Sequence, residues 1–201
     1  LVGTSLKGIT FKPNSTITLD MYVDADFAGM WNSCAEEQDP VRVKSRSGHV
    51  LLLAGCPLLW SSKLQTEIAV FTMESELIAL SSGMRDLIPA RAILQDIAMS
   101  LGLKIPSGAN LQSTVFEDNS GTLTLATVPR MTPRSKHISV KYFWFRSKVG
   151  RGTGINIIKC ASEDMLADPM TKGLAAIKFA TLRRRLMGWS LVREGVSRDP
   201  K

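Results

Sequence analysis

The sequence predicts an α/β fold in which helices flank a five-stranded mixed sheet, with three antiparallel strands followed by two parallel ones. Three strand-like segments follow one another before residue 63 with only turn-forming residues between them, which predicts an antiparallel meander. After that point helical and strand-like patterns alternate, and this alternation favours parallel strands.

The first three predicted strands lie in the N-terminal third. Residues 16–25 mix β-branched and apolar side chains and end in acids, which is typical of a strand. Residues 30–47 are polar and predict a loop. Two apolar runs at 49–54 and 58–62 flank the turn residues 55–57, so they predict a hairpin.

A long helix is predicted from about Met73 to Leu101, because apolar residues recur there at three- and four-residue steps. Pro89 is expected to kink this helix or split it in two. The recurring residues predict one buried stripe made of Leu77, Leu80, Met84, Leu87, Leu94, Ile97 and Leu101.

The remaining elements alternate between strand and helix. In order, they are a strand at 113–118, a short helix at 120–127, a helix from about Ser135, a strand at 155–160 and a helical stretch at 162–189 with a break near Gly173.

Composition points to one medium-sized folded domain with an anionic partner. The 201 residues are 44% hydrophobic and 21% charged, which is enough apolar material for a core. The net charge of +7 and the isoelectric point near 9.5 favour nucleic acid as that partner.

Cysteine usage and hydropathy indicate the compartment of the protein and whether it has a membrane partner. The three cysteines Cys34, Cys56 and Cys160 form neither a zinc-ligand spacing nor a disulfide framework, so a reducing intracellular compartment is expected. No apolar run is long enough for a membrane span, and we expect no membrane partner. The start at Leu1, without an initiator Met, is expected of a piece of a longer protein.

Four carboxylates are predicted to converge at one end of the sheet. They are Asp24 in the first strand, Glu76 early in the long helix, Asp118 at the end of the fourth strand and Asp168 in the helix after the fifth. Such like charges are unfavourable together unless cations neutralise them, and oxygen ligands suit Mg²⁺ or Mn²⁺. A single Asp at a strand end is more often a turn residue or a helix cap. Spacing alone therefore indicates no more than a metal-dependent phosphotransfer enzyme.

Several segments, in order, resemble motifs of the ribonuclease H region of copia-type (Pseudoviridae) retrotransposon Pol polyproteins. The resemblance covers about residues 20–175, and the ordered set is far more specific than any one member. The segments are Asp24-Ala25-Asp26-Phe27-Ala28-Gly29, Ser45-Arg46-Ser47-Gly48, Trp60-Ser61-Ser62-Lys63-Leu64-Gln65, Thr72-Met73-Glu74-Ser75-Glu76, Asp118-Asn119-Ser120-Gly121, Arg134-Ser135-Lys136-His137-Ile138 and Ala167-Asp168-Pro169-Met170-Thr171-Lys172.

This resemblance implies an RNase H-like fold and assigns catalysis to Asp24, Glu76, Asp118 and Asp168 as ligands of two Mg²⁺ ions, for which Mn²⁺ can substitute. Asp24 is expected to bridge both ions, Glu76 and Asp118 to complete one site, and Asp168 the other. Glu76 is preferred to Glu74 because the Ser75-Glu76-Leu77 step matches other ribonucleases H.

The resemblance also implies the reaction and its partners. The expected activity is endonucleolytic hydrolysis of the RNA strand of RNA–DNA hybrids during reverse transcription. The expected partners are the hybrid and the reverse transcriptase domain of the same polyprotein, in cytoplasmic virus-like particles or the nucleus. Residues 1–15 are expected to end the reverse transcriptase connection, 16–173 to form the RNase H-like domain, and 174–201 a C-terminal helix and tail.

A basic stretch after Asp118 is a candidate surface for the hybrid. His137 in this stretch is expected to contact phosphate or cap a helix, in preference to a catalytic role. Many relatives carry a histidine in the loop before the last catalytic Asp, but residues 161–164 contain none. The candidate nucleic-acid-binding residues are Arg130, Arg134, Lys136, His137 and Lys141.

Two other functions remain open. A decayed or domesticated copy would keep the fold and bind nucleic acid or protein without cleaving, and an integrase- or resolvase-like nuclease would cleave duplex DNA. The nuclease hypothesis requires residues 24, 76, 118 and 168 to meet closely enough to hold two divalent ions. A lysine or an apolar side chain filling the gap between them would rule out the nuclease and leave only a basic α/β domain.

Overall fold

A five-stranded mixed sheet lies at the centre of the fold. The computed structural model describes residues 7–31, 40–103, 111–127 and 142–189. The sheet order is β3-β2-β1-β4-β5, with β1, β2 and β3 antiparallel and β1, β4 and β5 parallel, as the sequence predicted. The strands are β1 (Leu19–Asp26), β2 (Arg46–Leu53), β3 (Cys56–Leu64), β4 (Ser113–Glu117) and β5 (Ile155–Lys159).

Four α-helices accompany the sheet in the described residues: α1 (Thr72–Ser100), α2 (Ser120–Thr127), α3 (Asp168–Thr171) and α4 (Ala176–Leu186). The predicted bounds of α2 and the break near Gly173 are confirmed.

The helix predicted from Ser135 lies partly outside the described residues, and its described part is a 3-10 helix, Phe143–Lys148. Tyr142 and Phe145 are both buried there, and their three-residue spacing fits a 3-10 turn.

The second strand begins earlier than the sequence predicted. Residues 46 and 47 were assigned to a loop because they are polar, yet they belong to β2. Asp26 pairs with Arg46, and Asp24 with Gly48, so the ladder with central strand β1 extends β2 into polar sequence.

Helix α1 differs from its prediction in two respects. Pro89 does not split it, since the helix continues to Ser100. The predicted stripe is buried only as far as Leu87, whereas Ile97 and Leu101 are 48% and 67% exposed. A helix of 29 residues is roughly 44 Å long, while strands of five to nine residues span roughly 17–30 Å, so the end of α1 extends beyond the sheet.

The two faces of the sheet support separate apolar clusters. Met21 and Val23 of β1 face α1, where they pack with Leu77 and Leu80. On the other face, side chains of β2 pack against α4 in a cluster of Val50, Leu52, Leu166, Leu182 and Leu186. The sheet thus holds the start of α1 on one face and α3 and α4 on the other, and this places the site described below.

The described N-terminal segment lies against the end of α4. The backbone N–H of Thr10 donates to the carbonyl of Met187 over 2.9 Å, and the indole of Trp189 donates to the carbonyl of Gly8 over 2.7 Å. The expected domain boundaries at residues 15 and 173 stay predictions.

The described residues contain no helix that is long and apolar enough to cross a membrane. Cys56 and Cys160 are buried free thiols, and Cys34 lies outside the described residues.

Candidate metal centre

Parallel pairing of β1 and β4 brings Asp24 and Asp118 to the same edge of the sheet. Tyr22 pairs with Phe116, and the two rings stack with centroids 4.3 Å apart. Two residues further along each strand come Asp24 and Asp118, so the parallel register sets them side by side. Asp24 is fully buried, and Asp118 is half-buried and accepts a 3.0 Å hydrogen bond from the Ser162 hydroxyl.

Helix α1 contributes the third acid, Glu76, from its second turn. A buried amide fixes this turn to the sheet: Nε2 of Gln65 donates to the carbonyl of Ser75 and to the hydroxyl of Ser47, each over 2.8 Å. The sequence reasoning quoted Gln65 within a motif but gave it no role. Because its amide links β2, β3 and α1 beside Glu76, Gln65 is a positioning residue.

The three acids meet. One carboxylate oxygen from each of Asp24, Glu76 and Asp118 lies within 4.8 Å of the other two. Glu74, two residues before Glu76, instead accepts a 2.8 Å hydrogen bond from the backbone N–H of Val70, in the segment before α1. The geometry therefore favours the choice of Glu76 over Glu74.

Burial and mutual repulsion make it unfavourable for all three of these acids to be ionised when no cation is bound. The pKa of Glu76 is raised to about 10, first by burial and then by the negative charges of Glu117, Asp24 and Asp118. Burial raises the pKa of Asp24 to about 6, even though Thr171 and Lys172 stabilise its charged form. At neutral pH, Glu76 therefore keeps its proton unless a cation offsets the repulsion.

Glu117 is a fourth acid at this position that the sequence reasoning missed. It is fully buried, and one oxygen accepts a 3.0 Å hydrogen bond from the backbone N–H of Asn119. Burial raises its pKa well above the usual range. Alternation along β4 puts Glu117 on the same face as buried Ser113 and Val115, and that pattern was the available signal.

Asp168 reaches Asp24 from the other face of the sheet, through α3. Gly48, the partner of Asp24 on β2, permits this approach: a Cβ there would lie 2.6 Å from Thr171 Cγ2 and 2.7 Å from Met170 Cβ. The Thr171 hydroxyl donates to Asp24 Oδ2 and also to the Asp168 carbonyl.

A lysine fills the gap between Asp24 and Asp168. Lys172 Nζ lies 3.2 Å from Asp24 Oδ1 and 2.9 Å from Asp168 Oδ1, and Lys178 pairs with Asp168 Oδ2. Burial lowers the pKa of Lys172, but the two carboxylates outweigh burial and raise it above its usual value. The condition set out from the sequence is met between these two acids, and this rules against an assembled four-acid, two-ion centre. The geometry groups three of the four predicted acids and pairs the fourth with ammonium groups.

The donor set on the Glu76 side fits one divalent cation. Its ligand atoms are carboxylate oxygens, which hard ions such as Mg²⁺ prefer. Oε2 of Glu76 is buried and has no hydrogen-bond partner among the described residues, and the same holds for Oε2 of Glu117. A cation held by Asp24, Glu76 and Asp118 would compensate that burial.

The predicted nucleic-acid-binding residues Arg130, Arg134, Lys136, His137 and Lys141 lie outside the described residues. Their assignment stays a prediction.

Comparison with known proteins identifies relatives of the chain. The retrovirus-related Pol polyprotein from transposon RE2 of Arabidopsis thaliana is 28% identical over 186 residues, 92% of this chain. The Pol polyprotein from transposon RE1 of the same plant is 27% identical over 200 residues, and that from transposon TNT 1-94 of Nicotiana tabacum is 28% identical over 167, or 100% and 83% of the chain. The chain is similar in sequence to plant transposon Pol polyproteins.

This relationship confirms the resemblance to copia-type Pol polyproteins. The chain spans only 12%, 12% and 11% of the length of these three relatives. No protein-family model matches it.

Two solved structures resemble the fold. The N-terminal RNase H domain of Rv2228c from Mycobacterium tuberculosis, solved as a fusion with maltose-binding protein, aligns with a TM-score of 0.46 at 13% identity, covering 84% of this chain and 98% of that one. LC11-RNase H1 in complex with an RNA/DNA hybrid aligns with a TM-score of 0.43 at 16% identity, covering 77% and 94%. The fold class itself is assigned from the strand order given above.

Proposed function

We propose that the chain is an endonuclease that hydrolyses the RNA strand of RNA–DNA hybrids during reverse transcription of a retroelement. The observation that carries this proposal is the meeting of the buried Asp24 and Glu76 with the half-buried Asp118, where burial and the neighbouring carboxylates raise the pKa of Glu76. The relationship to transposon Pol polyproteins supports it.

The proposed chemistry is metal-assisted phosphodiester hydrolysis. A divalent cation bound by Asp24, Glu76 and Asp118 would polarise the phosphodiester and lower the pKa of a water nucleophile. The protein's own contribution is to hold these carboxylates in fixed positions, through the β1–β4 register and the Gln65 amide. We also propose that a second ion binds between Asp24 and Asp168, and this requires the side chain of Lys172 to move out of that gap.

The proposed substrate and setting follow from charge and relationship. A net charge of +7 favours the phosphate backbones of a hybrid, and selection of RNA would come from contacts with its 2′-hydroxyl groups. We further propose that the chain works beside the reverse transcriptase domain of one polyprotein, in cytoplasmic virus-like particles or the nucleus.

Cleavage of a hybrid with labelled RNA tests this proposal. We expect Mg²⁺-dependent cleavage of the RNA strand, with a loss of at least about a hundredfold in Asp118→Asn. The control is Asp96→Asn, which makes the same change on the exposed end of α1 and should cleave like the native protein. Native protein that binds the hybrid and leaves it intact at every Mg²⁺ concentration would refute the nuclease.

A non-catalytic binding module is the second candidate, and Lys172 is the observation that favours it. With Lys172 between Asp24 and Asp168, that side of the cluster is neutralised without any metal ion. Hybrid binding without cleavage, unaffected by chelation of metal ions, would support this candidate. Cleavage of duplex DNA in place of the hybrid would instead support an integrase- or resolvase-like nuclease.

A further inference from the structure

Lys172 occupies the position between Asp24 and Asp168 where a second cation would lie. Its ammonium group is within 3.2 Å of one oxygen from each acid, and both acids are almost fully buried. The other oxygen of each acid is also satisfied, because the Thr171 hydroxyl donates to Asp24 and Lys178 pairs with Asp168. An ion entering here would meet a positive charge already in place.

We propose that Lys172 is an internal counter-ion that keeps this side of the cluster closed to divalent ions until its ammonium group withdraws. The inference rests on the metal-binding part of the proposed function. It assigns an order of binding: the first ion binds at Asp24, Glu76 and Asp118, and the second binds more weakly because it competes with Lys172.

The surroundings of Lys172 allow its side chain to move while the acids stay fixed. Lys172 follows the last residue of α3 in extended backbone, and about a third of its side chain is exposed. Next to it, Gly173 has no atom within 4 Å of where a Cβ would lie, so space is open on that side. Asp24 and Asp168, by contrast, are anchored in a buried strand and at the start of a packed helix.

The two sides of Asp24 differ in the positive charge beside their acids. Among the described residues, Glu76 Oε2 and Asp168 Oδ1 both lack a hydrogen-bond partner, but each oxygen of Asp168 has an ammonium group within ion-pair distance. A free cation is needed to compensate the ionised acids on the Glu76 side. On the Asp168 side, the ammonium group of Lys172 already supplies that positive charge.

The test is calorimetric titration of the whole chain with Mn²⁺, comparing native protein with Lys172→Gln, Lys172→Arg and Lys148→Gln. Lys172→Gln removes the bridging charge, and Lys172→Arg keeps it. Lys148→Gln removes an exposed lysine outside the cluster. Lys172→Met repeats the test if the Gln variant does not fold, and thermal unfolding with and without Mg²⁺ is recorded for each.

We expect Lys172→Gln to bind the second ion at least about tenfold more tightly than native protein, because the competing charge is gone. It should also unfold at a lower temperature without ions and gain more from added Mg²⁺. Lys172→Arg and Lys148→Gln should titrate like native protein.

The inference would be overturned if native protein and Lys172→Gln bound the same number of ions with the same affinities. It would also be overturned if neither protein bound any ion. The hybrid cleavage assay separates the two proposals. Cleavage by native protein with unchanged ion binding in Lys172→Gln refutes the counter-ion alone. Altered ion binding without cleavage in any variant refutes the nuclease alone.

Discussion

The two sides of Asp24 solve the same electrostatic problem in different ways. On the α1 side, Glu76 comes from α1, whereas Glu117 and Asp118 are adjacent at the end of β4. One carboxylate oxygen from each of Asp24, Glu76 and Asp118 lies within 4.8 Å of the other two. On the α3 side, Asp168 and Lys172 are four residues apart along the chain, and the lysine neutralises both Asp168 and Asp24.

The difference teaches that only one side of the cluster depends on an external ion. Burial, and then repulsion from Glu117, Asp24 and Asp118, raises the pKa of Glu76 to about 10, and a divalent cation would offset that cost. The ammonium group of Lys172 already performs this task for Asp168.

Removing a ligand on the α1 side should have the largest effect. Glu76→Gln is expected to lower hybrid cleavage at least about a hundredfold, because the cluster loses one of its three oxygen ligands. Single-turnover cleavage rates measure this. Glu74→Gln is the matched control, since Glu74 lies on the same helix but bonds to the Val70 N–H, and it should stay within about threefold of native protein. Equal losses in both variants would contradict the assignment of Glu76.

Displacing α3 tests the other side. Gly48→Ala would put a Cβ 2.6–2.7 Å from Thr171 and Met170, so α3 must shift away from Asp24. We expect a loss of about 1–3 kcal/mol in the free energy of unfolding, measured with urea, and a parallel loss of cleavage. In Gly173→Ala the new Cβ meets no atom within 4 Å, and this control should be near native. If Gly48→Ala unfolds and cleaves like the native protein, the close approach of α3 to β2 is refuted.

The acid cluster should also make stability fall with rising pH when no divalent ion is present. The pKa of Glu76 in the folded protein is about 10, against 4.5 for an exposed Glu, so between these values the folded state binds more protons and unfolding becomes easier as pH rises. Between pH 7 and 8.5 we expect the unfolding temperature to drop by about 5 °C, and Mg²⁺ to reverse the drop.

This pH range lies above the pKa of about 6 of Asp24 and the depressed pKa of His49, so neither contributes there. The pKa of Glu117 is also raised well above its usual range by burial, so Glu117 adds to the same trend. Glu76→Gln should therefore weaken the dependence and leave the part that Glu117 contributes. A rise in unfolding temperature over the same range would contradict the buried, repelling cluster.

The smallest effect is expected at the rim of the site. Ser162→Ala removes one exposed hydrogen bond to Asp118 Oδ2, worth roughly 0.5–1.5 kcal/mol at most. Cleavage should change by no more than about threefold, since Asp118 keeps its place at the end of β4. A loss as large as that of Glu76→Gln would mean that Ser162 belongs to the reacting centre.

The strand order and the converging acids could be predicted because local patterns carry them. Acids at the ends of the first and fourth predicted strands meet once those strands pair in parallel, and Asp24 and Asp118 do so. The start of β2 at Arg46 was missed, because its polar residues are held by pairing with β1 and not by their own propensity.

The role of Lys172 could not be predicted, because it depends on how closely α3 approaches the sheet. That approach is set by the missing side chain of Gly48 across the β1–β2 pair, 124 positions earlier in the sequence. The exposure of Ile97 and Leu101 was missed for a similar reason: periodicity gives the face of a helix, but the length of the strands decides how much of that face is covered.

The most direct test of the central claim is a crystal structure of the protein soaked in Mn²⁺, with anomalous scattering measured to locate the ion. We predict a peak among the carboxylates of Asp24, Glu76 and Asp118, with Lys172 still paired to Asp168. Full occupancy elsewhere, or no peak at this cluster at millimolar Mn²⁺, would contradict it.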